Sequence, residues 1–155
     1  MAHPRREALR ISREGVALLV DFEVPAGPRA LALRQGHVDA AALARIATLR
    51  TELWLDGARA ELQQRAVRGE GFDLPPQSTA LLAVRVELHA DWPPQSLWRR
   101  LFSRRSVELR DVDESGHVPV AAECAGCRVS DASSGVPDGP YVRGASTPLK
   151  VVVAW

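Results

Sequence analysis

The sequence predicts an α+β fold, in which a mainly antiparallel sheet of about five or six strands packs against a helical block at residues 39–68 and a short helix at residues 94–103. Three observations support this fold class. Apolar and polar residues alternate in several segments, apolar residues recur at helical spacing in the block, and proline and glycine separate these segments. The same elements also allow a β-sandwich with a helical insertion, which is the alternative.

Length and composition predict one globular domain over residues 1–155, with a frayed start at residues 1–8 and a long loop at residues 128–148. Hydrophobic residues make up 46% and charged residues 25%, which excludes disordered and fibrous classes. Because the net charge is only +1, any affinity for nucleic acid or a membrane must come from a local patch. Lys150 is the only lysine among 20 basic residues, which is typical of a GC-rich bacterial genome.

The sequence predicts a cytoplasmic protein. The charged N-terminus lacks the apolar core of a secretory signal, and no apolar run approaches the roughly 20 residues that span a bilayer. The only cysteines are Cys124 and Cys127, and two cysteines three residues apart do not make the disulfide framework of a small secreted domain.

Three segments have the period-two pattern of β-strands. The clearest is Thr79–His89, in which every even-numbered residue is apolar and the odd-numbered ones change from apolar to polar along the segment. The segment Val16–Val24 repeats this pattern, so the two segments are predicted to be neighbours in the sheet. The segment Leu149–Trp155 also alternates and closes the chain.

The helical predictions depend on caps and on spacing. Asp39 is a candidate N-cap for the block, whose buried stripe is formed by Ala42, Ile46, Leu49 and Leu53. The Asp56-Gly57 pair either interrupts this helix or caps a second one that runs through Leu62 and Ala66. A short helix begins at the proline pair 93–94, because proline is tolerated in the first helical turn. Its apolar face is Leu97, Trp98, Leu101 and Phe102.

The segment after the short helix resembles a β-hairpin. Ser106–Val112 and His117–Ala122 both have strand character and flank the turn residues Glu114, Ser115 and Gly116. A long segment rich in serine, glycine and proline then fills most of the loop predicted at residues 128–148, and such loops either bind partners or are disordered. Tyr141 is the candidate binding residue of this loop.

Cys124 and Cys127 form a CxxC motif. Two thiolates at this spacing fit part of a tetrahedral zinc site, with His117 as a third ligand and Asp131 as a fourth. A structural zinc site usually contains a second ligand pair, which the sequence lacks. A redox dithiol requires a helix start, and the residues after Cys127 are a poor one. The motif is therefore interpreted as two semi-buried cysteines at a turn, with zinc binding or thiol chemistry as the alternative.

One local basic cluster is present. Its members, Arg99, Arg100, Arg104 and Arg105, flank the apolar face of the predicted short helix. Such a cluster binds phosphate, nucleic acid or an acidic partner, or it is the solvated side of an amphipathic helix.

The sequence favours a small non-enzymatic protein–protein interaction module, an accessory or structural subunit of a bacterial assembly. The usual local motifs for nucleophiles, phosphate loops, dinucleotides and zinc proteases are absent from the sequence. The expected partner is another protein or a second copy of the chain, without membrane or nucleic acid, and no cofactor is expected. The alternatives are a zinc-binding or thiol-dependent protein centred on the CxxC motif and a nucleic-acid binder that uses the arginine cluster.

Overall fold

The computed structural model describes residues 5–24, 45, 51–70, 82–94, 104–111, 118–133, 141–143 and 148–155. In this part of the chain, eleven β-strands form two sheets. Sheet A contains β1 (Arg6–Ile11), β2 (Val16–Val24), β5 (Gln63–Glu70), β6 (Leu82–Ala90), β8 (Val118–Cys124) and β10 (Tyr141–Arg143). Sheet B contains β3 (Thr51–Leu55), β4 (Ala58–Arg59), β7 (Arg104–Asp111), β9 (Arg128–Ala132) and β11 (Leu149–Ala154).

The strand order is β10-β8-β1-β2-β6-β5 in sheet A and β4-β3-β7-β11-β9 in sheet B. Among these strands only β1 and β8 pair in parallel, and every other pair is antiparallel. Neighbours in a sheet are often distant in sequence, as with β7 and β11, so most of the pairing is not made by local hairpins.

The three strands with the clearest alternation form as predicted. β2 covers Val16–Val24, β6 covers Leu82–Ala90 within and just beyond the predicted segment, and β11 covers Leu149–Ala154. β2 and β6 also pair along their full length, from Val16 opposite Ala90 to Val24 opposite Leu82. The prediction that these two strands are neighbours is therefore confirmed.

Apolar side chains from both sheets meet in one core. Each central strand places every second residue inward, so each sheet has an inner face in the core and an outer face on the opposite side. Sheet A contributes Leu9, Ile11, Val16, Leu18, Val20, Val84, Val86, Leu88, Ala90 and Val120, and sheet B contributes Leu53, Leu55, Val107, Leu109, Leu149, Val151 and Val153.

A polar contact joins the two sheets at one end of the core. Glu7 is buried on the inner face of β1, and the Arg5 guanidinium lies 3.0 Å from its carboxylate. The same guanidinium donates to the Thr51 hydroxyl of β3 at 2.9 Å. Because a buried charge is costly unless it is paired, this contact holds the ends of β1 and β3 together.

The α+β prediction is wrong, because residues 51–68 of the predicted helical block contain the strands β3 and β4 and most of β5, and no helix. Leu53 was assigned to a helical stripe, but it belongs to a period-two series with Thr51 and Leu55, and all three side chains are buried. The described part of the chain is two antiparallel-rich sheets rather than one sheet with a helical layer. Residues 39–44 and 46–50 of the block lie outside the described residues, and Arg45 alone is described there, with helical backbone.

The Asp56-Gly57 pair is a turn between two strands and does not cap a helix. Asp56 has a φ of 51° and Gly57 a φ of 81°. Leu55 pairs with Ala58 on either side of this two-residue loop. Positive φ at both central residues is the geometry that Asp-Gly favours in tight hairpins, because glycine has no Cβ and aspartate tolerates the left-handed region. The turn therefore closes β3 onto β4.

The predicted hairpin over residues 106–122 does not form. Its two halves are strands, but β7 belongs to sheet B and β8 to sheet A, and each pairs with distant strands. Alternation in sequence identified the strands, whereas their partners are set by packing between the sheets. Residues 112–117, where the turn was predicted, lie outside the described residues.

Two segments predicted to be irregular contain strands among the described residues. Residues 6–8 of the segment predicted to be frayed belong to β1, in the middle of sheet A. The predicted loop 128–148 contains β9 and β10.

Residues 95–103 of the predicted short helix lie outside the described part, and Pro94 is not helical. No helix among the described residues is long and apolar enough to cross a membrane.

Candidate functional site

The two cysteines lie where the chain passes from sheet A to sheet B. β8 ends at Cys124, and β9 follows a short turn in which Gly126 has a φ of 76°. The Ala125 N–H donates to the Ile11 carbonyl at 2.8 Å, and the Cys127 sulfur lies 3.7 Å from the same oxygen. The turn is therefore fixed to the end of β1, and both half-buried cysteines pack against the core.

The environment of Cys124 does not favour thiol chemistry. Burial, and then a hydrogen bond with Cys127, raise the pKa of the Cys124 thiol to about 12. It is therefore protonated at neutral pH, whereas the thiolate is the nucleophile. Across the described residues no group of three or more His, Cys, Asp and Glu side chains is placed to hold a metal ion. Of the other predicted ligands, His117 lies outside these residues and Asp131 lies on the outer face of sheet B.

The predicted arginine cluster does not form one surface, because its last two members lie on opposite faces of a strand. Arg104 and Arg105 are consecutive residues of β7 and therefore point to opposite faces. Arg104 is exposed on the outer face of sheet B, whereas the Arg105 side chain is only 12% exposed and points inward. Arg99 and Arg100 lie outside the described residues. Tyr141 begins β10, one of the two edge strands of sheet A among the described residues.

Arg105 closes the end of the core opposite the Glu7 contact. Its guanidinium lies 3.0 Å from the Asp56 carboxylate, donates to the Pro93 carbonyl at 2.9 Å and stacks 4.4 Å from the centre of the Trp92 ring. Asp56 also accepts the Ser106 N–H at 3.0 Å. Both charged side chains are nearly buried and are paired with each other, so this contact has a structural role.

Trp92 connects this end of the core to residues at the ends of other strands. Its indole N–H donates to the Ser12 carbonyl at 2.7 Å, and its ring meets Trp155 edge to face with centroids 6.1 Å apart. The indole N–H of Trp155 is buried and has no hydrogen-bond acceptor in the structure as described. The segment after β6, the β1–β2 turn and the end of β11 are therefore packed together.

The outer face of sheet B carries a connected set of charged and aromatic side chains, which we call the Trp54 ladder: Glu52, Trp54, Arg59, Glu108 and Arg110. The Arg110 guanidinium lies 4.1 Å from the centre of the Trp54 ring, and its Nε donates to Glu108 at 2.7 Å. The Trp54 indole N–H donates to Glu52 at 3.1 Å, and Arg59 lies 3.6 Å from the other Glu52 oxygen.

The β3–β7 register produces this ladder. Trp54 is paired with Glu108, and Glu52 is paired with Arg110, so the four side chains alternate in charge and shape on one face. The hydrogen bond that Arg110 donates to Glu108, together with the charges of Glu108 and Glu52, raises the pKa of Arg110 above its usual range. Arg110 is therefore charged at every physiological pH, while its side chain remains 42% exposed.

The outer faces of the two sheets differ in charge. On the strands of sheet B whose side chains are described, the outer face carries five basic residues, Arg59, Arg104, Arg110, Arg128 and Lys150, and three acidic residues, Glu52, Glu108 and Asp131. Among the paired outer-face residues of sheet A whose side chains are described, four basic residues, Arg6, Arg10, Arg68 and Arg85, are balanced by four acidic residues, Asp21, Glu23, Glu87 and Glu123. Of the two outer faces, the one on sheet B therefore carries a net positive charge among the residues counted.

Sequence reasoning missed the Trp54 ladder because it assigned Glu52 and Leu53 to a helix. The signal that the sequence offered was the Asp56-Gly57 pair directly after Leu55, because Asp-Gly favours a tight hairpin between two strands. Arg110 belonged to a predicted strand, but its register with β3 is not visible in the sequence. No family model, no curated protein and no solved structure matches this chain.

Proposed function

We propose that this chain is a non-enzymatic protein-interaction module, an accessory or structural subunit of a bacterial assembly, and that it binds a protein partner through the outer face of sheet B. The observation that carries this proposal is the Trp54 ladder. Tryptophan and arginine are the residue types most enriched among energetically dominant positions of protein interfaces. Here an accessible arginine is stacked on a tryptophan, and both are hydrogen-bonded to carboxylates on the same face.

The ladder is also preorganised for binding. A free arginine or glutamate loses side-chain entropy when it is immobilised in an interface, and each such side chain costs about 0.5–1.5 kcal/mol. Arg110, Trp54, Glu52 and Glu108 already constrain one another through contacts of 2.7–4.1 Å. A partner that contacts this face therefore encounters side chains that have lost much of this freedom on folding.

Two observations make the other functions less favourable. The raised pKa of Cys124 opposes a nucleophilic role for this thiol at neutral pH. The division of Arg104 and Arg105 between two faces opposes a continuous basic surface for nucleic acid. The proposal includes a cytoplasmic location, which the two free cysteines support, because that compartment keeps thiols reduced.

The test compares proteins bound by three versions of the purified chain. The site variant combines Trp54→Ala with Arg110→Gln, and the control variant combines Arg6→Gln with Arg68→Gln on the outer face of sheet A, where both arginines are exposed. Proteins retained by the wild type and the control, but not by the site variant, are purified and titrated individually. We expect the site variant to bind such a partner at least tenfold more weakly.

Equal affinity of the site variant and the wild type for every purified partner contradicts the proposal. Sedimentation equilibrium over a range of concentrations identifies the case in which the partner is a second copy, since the site variant then remains monomeric where the wild type associates. If the site variant does not fold, Lys150→Glu replaces it, because Lys150 is exposed on the same face.

A further inference from the structure

We propose that the partner of this face is an acidic protein segment, and that Arg104 and Arg128 together receive one of its carboxylates. This inference rests on the proposed function, because it names the chemistry of the partner for the same face. Its basis is a row of three residues across sheet B. Ala154 of β11 is paired with Arg104 of β7 on one side and with Arg128 of β9 on the other.

The geometry of this row suits one anionic group. Neighbouring strands lie about 4.8 Å apart, so the Cα atoms of Arg104 and Arg128 are about 10 Å apart across Ala154. Both arginines are exposed, and the small side chain between them leaves room above the sheet. Two arginine side chains whose Cα atoms are this far apart are long enough to bring both guanidinium groups to a single carboxylate, which the planar donor array of arginine binds in a bidentate manner.

Two of the basic residues on the outer face of sheet B that make no ion pair among the described residues lie in this row. Arg110 is engaged by Glu108 and Trp54, and Arg59 lies near Glu52. Within the described residues, neither Arg104 nor Arg128 makes an ion pair or a side-chain hydrogen bond. Two like charges in one row repel each other, and an anion from a partner relieves that repulsion while gaining two charge-assisted hydrogen bonds.

The neighbouring rows favour protein carboxylates over nucleic acid. Val152 lies two residues from Ala154 along β11, about 7 Å away, and is half-buried, so it offers an apolar contact. Asp131 is paired with Val152, and Glu108 with Lys150. A continuous phosphate backbone would meet these carboxylates, whereas a peptide with separated acidic and apolar residues does not place a charge at every step. The structure therefore fits an extended segment in which a glutamate or aspartate precedes or follows an apolar residue by two positions.

The test is an NMR titration of the isotope-labelled full chain with three probes. The first is a capped five-residue peptide with glutamate at both ends, valine at the centre and serine between them. The second has glutamine in place of glutamate, and the third is a ten-nucleotide oligothymidylate. We expect saturable shifts of the Arg104, Arg128 and Ala154 amide signals with the glutamate peptide, and at least tenfold weaker binding of the glutamine peptide.

The variant for this test combines Arg104→Gln with Arg128→Gln, and its control is the Arg6→Gln and Arg68→Gln variant. We expect at least tenfold weaker binding of the glutamate peptide to the first variant and unchanged binding to the control. No shift of the row with any probe, equal shifts with the glutamate and glutamine peptides, or unchanged binding to the first variant overturns the inference. Shifts with oligothymidylate alone assign the row to nucleic acid, and this result also overturns the inference.

Failure of this inference is distinguishable from failure of the proposed function. If a purified protein partner loses affinity for the Trp54→Ala and Arg110→Gln variant but binds the Arg104→Gln and Arg128→Gln variant as well as wild type, the docking face stands and the acidic contact is wrong. If neither variant changes the affinity for that partner, both proposals are wrong. Unchanged melting temperatures of the variants establish that lost binding reflects the surface rather than the fold.

Discussion

At the scale of single residues, two arginines of one strand show how position decides the role of a charged side chain. Arg105 and Arg110 both belong to β7, and both contact an acidic residue and a tryptophan. Arg105 is nearly buried, so its pairing with Asp56 is a condition of folding. Arg110 is exposed, so its pairing with Glu108 adds little to stability and mainly fixes the shape of an accessible face.

The buried pair leads to a prediction for Asp56. Asp56→Ala removes the charge opposite Arg105 and the acceptor of the Ser106 N–H, and leaves a nearly buried guanidinium without its carboxylate. We expect a loss of about 3 kcal/mol in the free energy of unfolding, measured by urea denaturation. Asp56→Asn is the matched control, because asparagine also tolerates positive φ and keeps an acceptor for Ser106.

The two variants should therefore differ. The asparagine variant is expected to lose about half as much stability as the alanine variant, because only the charge of the pair is removed. Unfolding curves for Asp56→Ala that coincide with the wild type would show that the pair does not close the core.

Cys124 provides a prediction about reactivity. With a pKa near 12 the folded thiol is almost fully protonated at pH 8, whereas an unfolded cysteine has a pKa of about 8.5. We expect iodoacetamide to modify Cys124 at least a hundredfold more slowly in the folded chain than in urea, measured by peptide mass spectrometry. Equal rates in the two states would contradict the burial of this thiol.

The same pKa predicts how stability changes with pH. Because the folded state holds the Cys124 proton more tightly than the unfolded state does, the protonated thiol contributes to the free energy of unfolding. This contribution is complete below about pH 8.5 and is lost as the pH rises toward about 12. The free energy of unfolding should therefore fall more between pH 8 and pH 10 in the wild type than in Cys124→Ser. Parallel curves for the two proteins would show that another group dominates in this range.

At the scale of elements, the strands were predictable where apolar and polar residues alternate without interruption. The helical block was predicted wrongly where helical spacing of apolar residues competed with the period of two that is typical of strands. β2, β6 and β11 combine a continuous apolar face with few competing signals. In the block, Leu49 and Leu53 were assigned to a helical stripe, and the Asp56-Gly57 pair was interpreted as an interruption of that helix or the cap of a second one, whereas it joins two strands. The turn residues were the decisive signal, because a tight hairpin resets the face that each following residue occupies.

The central position of β6 leads to a paired prediction. Val84 is 2% exposed on the inner face, and Ala83 beside it is exposed on the outer face opposite Glu23. Val84→Lys buries an unpaired charge and should unfold the chain at room temperature or cost more than about 4 kcal/mol. Ala83→Lys places the same charge near a carboxylate and should stay within about 0.5 kcal/mol of wild type.

Circular dichroism and urea denaturation measure both variants under the same conditions. The comparison controls for the loss of strand propensity that lysine causes in any strand. Similar stabilities of the two variants would mean that the inner and outer faces of β6 have been assigned incorrectly.

At the scale of the whole molecule, the partners of the strands were the least predictable feature. β7 and β8 are consecutive strands, yet they belong to different sheets, and β1 pairs in parallel with β8 more than a hundred residues later. Such pairings depend on which faces must share a core, and this information is spread over the entire chain. The Trp54 ladder has the same origin, since Arg110 reaches Trp54 only through the β3–β7 register.

The shared core leads to the last prediction, that the two sheets unfold as one unit. Leu9 of sheet A and Leu109 of sheet B are both fully buried in the same cluster. Leu9→Ala and Leu109→Ala should each cost about 2–5 kcal/mol, whereas Val152→Ala, at a half-buried outer position, should cost about 1 kcal/mol or less. Hydrogen exchange followed by mass spectrometry should show that each core variant lowers the protection of the central strands in both sheets equally, because neither sheet keeps its apolar inner face buried alone. Loss of protection confined to the substituted sheet would instead mean that the sheets fold independently and that the chain is not one cooperative domain.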